Sequence, residues 1–251
     1  MVQMASVCAV VVSGGSGTRF GNPGGKQLLN VAGKPMMTWS IAAFDGSARV
    51  GHIVVVCPAE RRSEMRRLAI DPFEFQTPIT FADAGETRQD STRAGVAAVP
   101  LGFEYVAIHD GARPLITTEA IDRAICALEE DRSLDGVVCG QPAIDTLKIV
   151  EGQRIVETPP RSMYWAAQTP QIFHIGSVRR AHDAALAEGY VGTDDSSLVE
   201  RMGGVVRCVE SPRDNLKVTV PEDLRPVTAI LLGRMSDAES AQDTGIALPE
   251  E

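Results

Sequence analysis

The segment from Val7 to Gln27, VCAVVVSGGSGTRFGNPGGKQ, constrains this chain more than any other. It opens with an apolar run, Val7 to Val12. The run is too short for an ordinary helix and rich in β-branched valine, so it reads as a buried strand. It then breaks into Ser13-Gly14-Gly15-Ser16-Gly17, a loop with almost no side chains. Glycine lets backbone N–H groups approach and wrap an anion, and two cations, Arg19 and Lys26, follow closely. A strand that ends in a bare, donor-rich loop beside fixed positive charge suits a nucleoside triphosphate. A plain strand-to-helix turn would use the same glycines.

Spacing excludes the two familiar glycine-loop patterns. A dinucleotide fingerprint starting at Gly15 needs glycine where Phe20 stands. A Walker A motif ending in Gly25-Lys26 needs glycine at the same place and a hydroxyl residue where Gln27 stands.

The rest of the chain alternates strand and helix patterns. Strands are expected at Val7–Val12, His52–Cys57, Ile79–Ala82, Tyr105–His109, Gly136–Cys139 and Val205–Val209. Helices are expected at Pro35–Phe44, Glu60–Ile70, Arg88–Val99, Thr118–Glu130, Ser177–Glu188, Asp194–Met202 and Pro221–Leu232. This alternation predicts an α/β domain with a mostly parallel sheet covered on both faces, and ligands beyond the carboxyl ends of its strands. One segment departs from the rhythm. Gln141 to Pro160 carries two alternating stretches around Glu151-Gly152-Gln153, which signals a hairpin. It reads either as a protruding β-arm that clasps a second subunit or as an edge hairpin packed on its own chain. A single domain over residues 1–233 is expected, and the polar, acidic stretch 234–251 is expected to be unstructured.

Charge and cysteine usage narrow the function classes. The net charge is −9, from 24 basic and 33 acidic residues, which argues against a general nucleic-acid or anionic-membrane binder. No run of about 18 apolar residues is present, so no membrane span is expected. Five cysteines are scattered with no C-x-x-C pair, and four histidines show no zinc-site spacing. Buried thiols in a reducing cytoplasm are the expectation.

Three further groups carry chemistry. Asp110 follows the Tyr105–His109 strand and opens D-G-A-R-P, where a carboxylate can hold Mg²⁺ facing a triphosphate or simply cap a loop; Arg113 can meet a phosphate or an acid. Arg213 to Thr219 (RDNLKVT) offers Asp214 as a second metal ligand and Lys217 as a phosphate contact. Arg161 with Thr169 suits a phosphorylated polyol, and Thr193 begins an N-terminal helix signal, TDDSS.

Seven ordered blocks carry a resemblance that spans about Val7 to Leu232: SGGSGTRFG with KQ, GETRQDS, HDGARP, DTLK, QTPQIF, TDDSSLVE and DNLKVTVPEDL. In that order they resemble the 2-C-methyl-D-erythritol 4-phosphate cytidylyltransferases of the non-mevalonate isoprenoid route. The resemblance implies a Rossmann-like three-layer nucleotidyltransferase fold. It implies transfer of CMP from CTP, with Mg²⁺ (or another divalent cation) as cofactor. It implies Lys26, Lys217 and Arg19 as catalytic cations; Gly14, Gly15, Gly17, Gly85, Glu86 and Ser91 around CTP; and Asp110 and Asp214 as metal-side acids. It further implies Thr146, Arg161, Thr169, Thr193 and Arg113 around the acceptor phosphate, and a homodimer in which the arm completes the neighbouring site. Two departures from the family pattern stand out. Ser13-Gly14 replaces the usual alanines, and Gly24-Gly25 precedes Lys26 where proline is usual. Glu86 also stands where aspartate or glycine is frequent. The alternatives are a cytidylyltransferase for another polyol phosphate such as ribitol 5-phosphate, a sugar-1-phosphate uridylyl- or guanylyltransferase, and a non-catalytic nucleotide-sensing module on the same fold.

Overall fold

The computed structural model describes residues 5–15, 20 and 25–244. Eleven strands and seven α-helices alternate through them: β1 (Val7–Val12), β2 (Asn30–Val31), β3 (Lys34–Pro35), α1 (Met36–Asp45), β4 (Val50–Cys57), α2 (Arg62–Met65), β5 (Ile79–Asp83), α3 (Arg88–Ala97), β6 (Tyr105–Asp110), α4 (Thr118–Glu129), β7 (Gly136–Pro142), β8 (Ile149–Glu151), β9 (Arg154–Glu157), β10 (Trp165–His174), α5 (Ile175–Glu188), α6 (Asp195–Arg201), β11 (Val206–Glu210) and α7 (Leu224–Thr244). Short 3₁₀ and π turns flank α2 and precede α7.

The main sheet runs β11-β7-β10-β6-β1-β4-β5. Its pairings are parallel except those of β10, which is antiparallel to both β6 and β7. Apolar clusters lie on both faces. One gathers α1 and α4 around Val11, Ile53 and Ile121; the other gathers α3 and α5 around Val10, Val56 and Phe173. This two-sided cover explains why β1 and the Tyr105–Ile108 part of β6 are unbroken apolar runs rather than alternating ones.

The sheet is mostly parallel as anticipated, and the expected strands and helices form with shifts of one or a few residues at their ends, except that Glu60–Ile70 is a succession of 3₁₀, one-turn α and π segments. Two differences matter. Strand β10 was not foreseen. Pro170 interrupts its run, and proline argues against a central strand; the ladder to β7 shifts register between Ala167 and Gln171 to pass it. The stretch expected to be unstructured from 234 instead continues α7 to Thr244. The reason is anchoring: Arg234 donates to the Leu115 carbonyl (2.9 Å) and pairs with Asp214 (2.7 Å).

The hairpin expected in 141–160 forms as β8 and β9, paired as a separate two-stranded sheet, with Gly152 in the left-handed region (φ +61°) at its turn. Its residues are exposed, including Ile149, Val150, Ile155 and Val156.

Helix α3 is the element that brings sequence-distant groups to the sheet. It starts in a capping box between Thr87 and Asp90 and lies so close to the sheet that a Cβ on Gly95 would sit 2.4 Å from Val10 and 2.6 Å from Val56. Gly95→Ala is therefore expected to destabilise the protein by about 1–3 kcal/mol through overpacking, although alanine favours helix. Urea unfolding tests this; an unchanged or raised midpoint would show that α3 does not depend on the close approach.

Candidate active site

The carboxyl ends of β1 and β6 open into a cleft of about 320 Å³, walled by the loop after β1, the N-terminus of α3 and the 215–219 segment. Its wall includes Gly14, Gly15, Lys26, Gln27, Arg88 and Lys217, with Asp110 at its floor. Gly14 has no room for a side chain, because a Cβ there would lie 2.5 Å from that of Ala84. Gly85 is similarly closed off by Asp90 at 2.3 Å. Ser91 accepts from the Gly85 N–H (3.1 Å) and donates to the Thr87 carbonyl (2.9 Å), pinning this turn beside the glycine loop. Glu86 borders the same cleft and is exposed. Gly17 and Arg19 lie outside the described residues, as does Gly24.

Asp110 is the charge centre of the cleft. It ends β6, and its two carboxylate oxygens meet different cations: Oδ1 accepts from Arg88 Nε at 3.1 Å and Oδ2 from Lys217 Nζ at 2.6 Å. Burial by itself would favour the neutral acid, but Arg88 and Lys217 outweigh it and hold the carboxyl well below the usual carboxylate range.

Each cation is held from behind. Arg88 also pairs with Asp195 on α6 (2.9 Å), whose other oxygen accepts from His182 on α5 (3.1 Å). Burial works against the Arg88 charge, yet the two carboxylates more than offset it and keep the guanidinium ionised. Lys217 is placed by its neighbours. Asn215, fully buried, donates to Gln168 and to the Thr169 carbonyl (both 3.0 Å), and the Val218 N–H donates to the Ala112 carbonyl (2.8 Å). Lys26 reaches across to donate to the Val218 carbonyl, so both expected lysines converge on one wall.

The acceptor-side candidates are more dispersed. Thr169 is buried. Its hydroxyl accepts from the Asp110 N–H (3.1 Å) and meets His109 Nδ1 (3.1 Å), which fixes the backbone of Asp110. His109 Nε2 faces the Arg113 carbonyl (3.2 Å), so that nitrogen carries the hydrogen and Nδ1 accepts from Thr169. Arg113 donates to the Asn215 carbonyl (2.8 Å) and is not part of the cleft wall. Thr146, Arg161 and Thr193 are exposed, and Arg161 donates to the Ile144 carbonyl (2.8 Å) at the base of the arm.

The structure does not bring Asp214 to the cleft beside Asp110. Its Oδ2 is taken by Arg234 from α7, while its Oδ1 is buried without a partner. Among the described residues no cluster of three or more metal-ligating side chains occurs. The residues that the sequence reading missed are Arg88, Asn215 and the pair Asp195–His182. The GETRQDS block contained Arg88, but only the fold shows which of its side chains faces Asp110.

Three of the five cysteines are buried as expected, while Cys126 is half-buried and Cys208 exposed. Cys8, Cys57 and Cys139 are buried, and burial pushes Cys8 and Cys139 up to about 12 and Cys57 up to about 11.

Burial lowers the His109 pKa to about 4. The folded state therefore resists a proton that the unfolded chain accepts near pH 6.5. Stability is full above that pH and is lost as the pH falls from about 6.5 towards 4, by on the order of 3 kcal/mol from this group. The ring's NMR titration and the difference in unfolding free energy between wild type and His109→Gln across this window check the sign. A ring midpoint near 6.5 would contradict it.

The sequence model of the family described as "IspD: 2-C-methyl-D-erythritol 4-phosphate cytidylyltransferase" matches residues 7–233. A relative of that name from Caldanaerobacter subterraneus is 42% identical over 220 residues, covering 87% of this chain and 96% of the relative. One from Syntrophotalea carbinolica is 39% identical over 227 residues, covering 90% and 96%. The crystal structure of the enzyme of that name from Thermus thermophilus superposes with a TM-score of 0.71 at 29% identity, covering 88% of this chain and 97% of that one. The structure of a 4-diphosphocytidyl-2C-methyl-D-erythritol synthase from Anaerococcus prevotii shares the fold, with a TM-score of 0.80 at 24% identity, covering 92% and 98%. With the family pattern matched from the first strand into the last helix, this chain belongs to the 2-C-methyl-D-erythritol 4-phosphate cytidylyltransferase family.

Proposed function

We propose that this chain transfers CMP from CTP to 2-C-methyl-D-erythritol 4-phosphate, releasing pyrophosphate, in the cleft around Asp110. The observation that carries the reading is one cleft in which Lys26 and a closely approached glycine loop stand beside the carboxylate that Lys217 and Arg88 meet. A phosphate oxygen of the acceptor attacks the α-phosphorus of CTP in line. The new P–O bond forms as the bond from the α-phosphorus to the β-bridging oxygen breaks, and the electron pair leaves with pyrophosphate. A phosphate monoester dianion is already a nucleophile, so no general base is needed. The barrier is the approach of two anions and the charge that develops on the leaving group. Lys26, Lys217 and the amides of Gly14 and Gly15 oppose that charge, and Arg19 is assigned beside the phosphates on the family pattern. Gly85 and Ser91 shape the wall assigned to cytosine, with Glu86 at its edge.

Asp110 fits a role in holding Mg²⁺. An oxygen-ligand carboxylate kept ionised beside a phosphate pocket is how this ion is ordinarily bound, together with substrate oxygens. The cation would supply charge neutralisation on the triphosphate. Asp214, tied to Arg234 and away from the cleft wall, does not fit as its partner.

The arm supports a homodimer. Two strands alone are marginally stable in water, and this pair leaves Ile149, Val150, Ile155 and Val156 partly bare. A second copy would cover them, and would bring Thr146, Arg161 and, near the junction, Arg113 towards the acceptor phosphate of the neighbouring site, with Thr193 contributed from the TDDSS helix start. No helix is long and apolar enough to cross a membrane, and the free thiols suit a reducing cytoplasm.

Pyrophosphate release is expected with CTP and methylerythritol phosphate, to be lost on chelation and restored by Mg²⁺. It is expected to be weak with ribitol 5-phosphate or with the other nucleoside triphosphates. A preference for ribitol 5-phosphate would move the enzyme to another acceptor, and silence with every pair would leave a binding module.

The shared site has its own test. Lys26→Ala and Arg161→Ala should each lower turnover, the former by about 10²–10³. Mixing the two chains should restore activity to about a quarter of wild type, since half the dimers then hold one intact site. No recovery after demonstrated subunit exchange would place Arg161 in its own chain's site.

A further inference from the structure

A second cavity, of about 560 Å³, lies between α3 and α5 and is separate from the cleft around Asp110. Its wall is divided by chemistry. Val96, Val99 and Leu101 supply an apolar side; Arg93, Arg179 and His182 supply a polar one. Asp183 stands exposed at the same wall, so the two arginines leave a net positive charge.

The polar groups there are only partly used. Arg179 donates through one nitrogen to the carbonyls of Val96 and Val99 (3.2 and 3.4 Å), which closes the end of α3, while its other N–H groups have no partner among the described residues. Arg93 Nε is buried without a partner. His182, 1% exposed, has a buried Nδ1 that is also unpartnered. Its Nε2 faces the Asp195 carboxylate at 3.1 Å and so carries the hydrogen, which leaves Nδ1 in the neutral ring as an acceptor.

A buried donor or acceptor without a partner costs roughly 1–3 kcal/mol. Two such groups, together with the spare N–H donors of Arg179, line one cavity and form the complement of a ligand. We infer that this cavity binds a small phosphate monoester. Its anionic oxygens would pair with Arg93 and Arg179, whose planar forks match phosphate geometry. Its remaining P–O–H would donate to His182 Nδ1, and its organic group would rest on Val96, Val99 and Leu101.

Occupancy there reaches the catalytic cleft by a short path. His182 holds Asp195, Asp195 holds Arg88 (2.9 Å), and Arg88 holds Asp110 (3.1 Å). A ligand that draws on the far side of His182 biases the contact that positions Asp110, so the cavity is a regulatory site for the transfer reaction.

The probe is butyl phosphate, with inorganic phosphate and butanol as controls, titrated calorimetrically into the full-length protein with and without saturating CTP. One butyl phosphate per chain is expected to bind with CTP present, about tenfold tighter than inorganic phosphate. Arg93→Gln, and independently Leu101→Glu at the exposed rim, should each weaken it by about tenfold. Displacement by CTP would put the ligand in the catalytic cleft. Equal affinity in both variants would put it elsewhere, and parity with inorganic phosphate or no binding would remove the apolar wall or the site; each of these overturns the assignment. At saturating substrates the occupied site should change kcat by about twofold or more in the wild type and not in Arg93→Gln. An unchanged kcat with the site filled would overturn the regulatory link.

Discussion

The Asp110 carboxylate, wedged between Arg88 and Lys217, is the interaction on which the rest of the site depends. A carboxylate this enclosed is tolerated only because both of its oxygens meet a cation. Removing either cation would leave the enclosed carboxylate with one charged partner instead of two at the end of the central sheet. The cluster therefore fixes geometry and charge together. It holds α3, the 215–219 segment and the end of β6 in one arrangement, and it keeps two cations at the cleft without letting them repel each other apart.

The support behind that cluster is distributed through the fold. Arg88 is backed by α6 and α5 through Asp195 and His182; Lys217 is backed by β10 through Asn215. The antiparallel strand β10 thus serves a purpose beyond filling the sheet. It brings the Thr169 hydroxyl to the Asp110 N–H, and the Gln168 side chain and the Thr169 carbonyl to Asn215, so it braces both members of the central ion pair. On the opposite side, close packing does the equivalent work. Gly14 and Gly85 let two loops approach closely at the cleft, where a Cβ on either glycine would collide with Ala84 or Asp90.

The arm and the terminal helix are held in different ways. The β8–β9 hairpin has little of its own core, and its apolar side chains stay partly exposed. Helix α7 is held more firmly than its polar composition suggests, because Arg234 is clamped between Asp214 and the Leu115 carbonyl. That clamp also explains why Asp214, adjacent in sequence to the site, is engaged elsewhere.

By itself the sequence determined the β–α rhythm, the glycine loop after the first strand, the hairpin at Gly152 and the cations Lys26 and Lys217, because these follow from local rules: periodicity, β-branching, turn chemistry and ordered motif blocks. Only the tertiary structure decided that β10 runs antiparallel through the sheet, that Arg88 rather than a residue nearer in sequence braces Asp110, that Thr169 is a buried brace in this chain and that Asp214 turns to Arg234. Each of these is a long-range pairing between side chains far apart in the chain. Their choice of partner is set by burial and by the requirement that every enclosed charge be matched, a condition that exists only once the chain has folded.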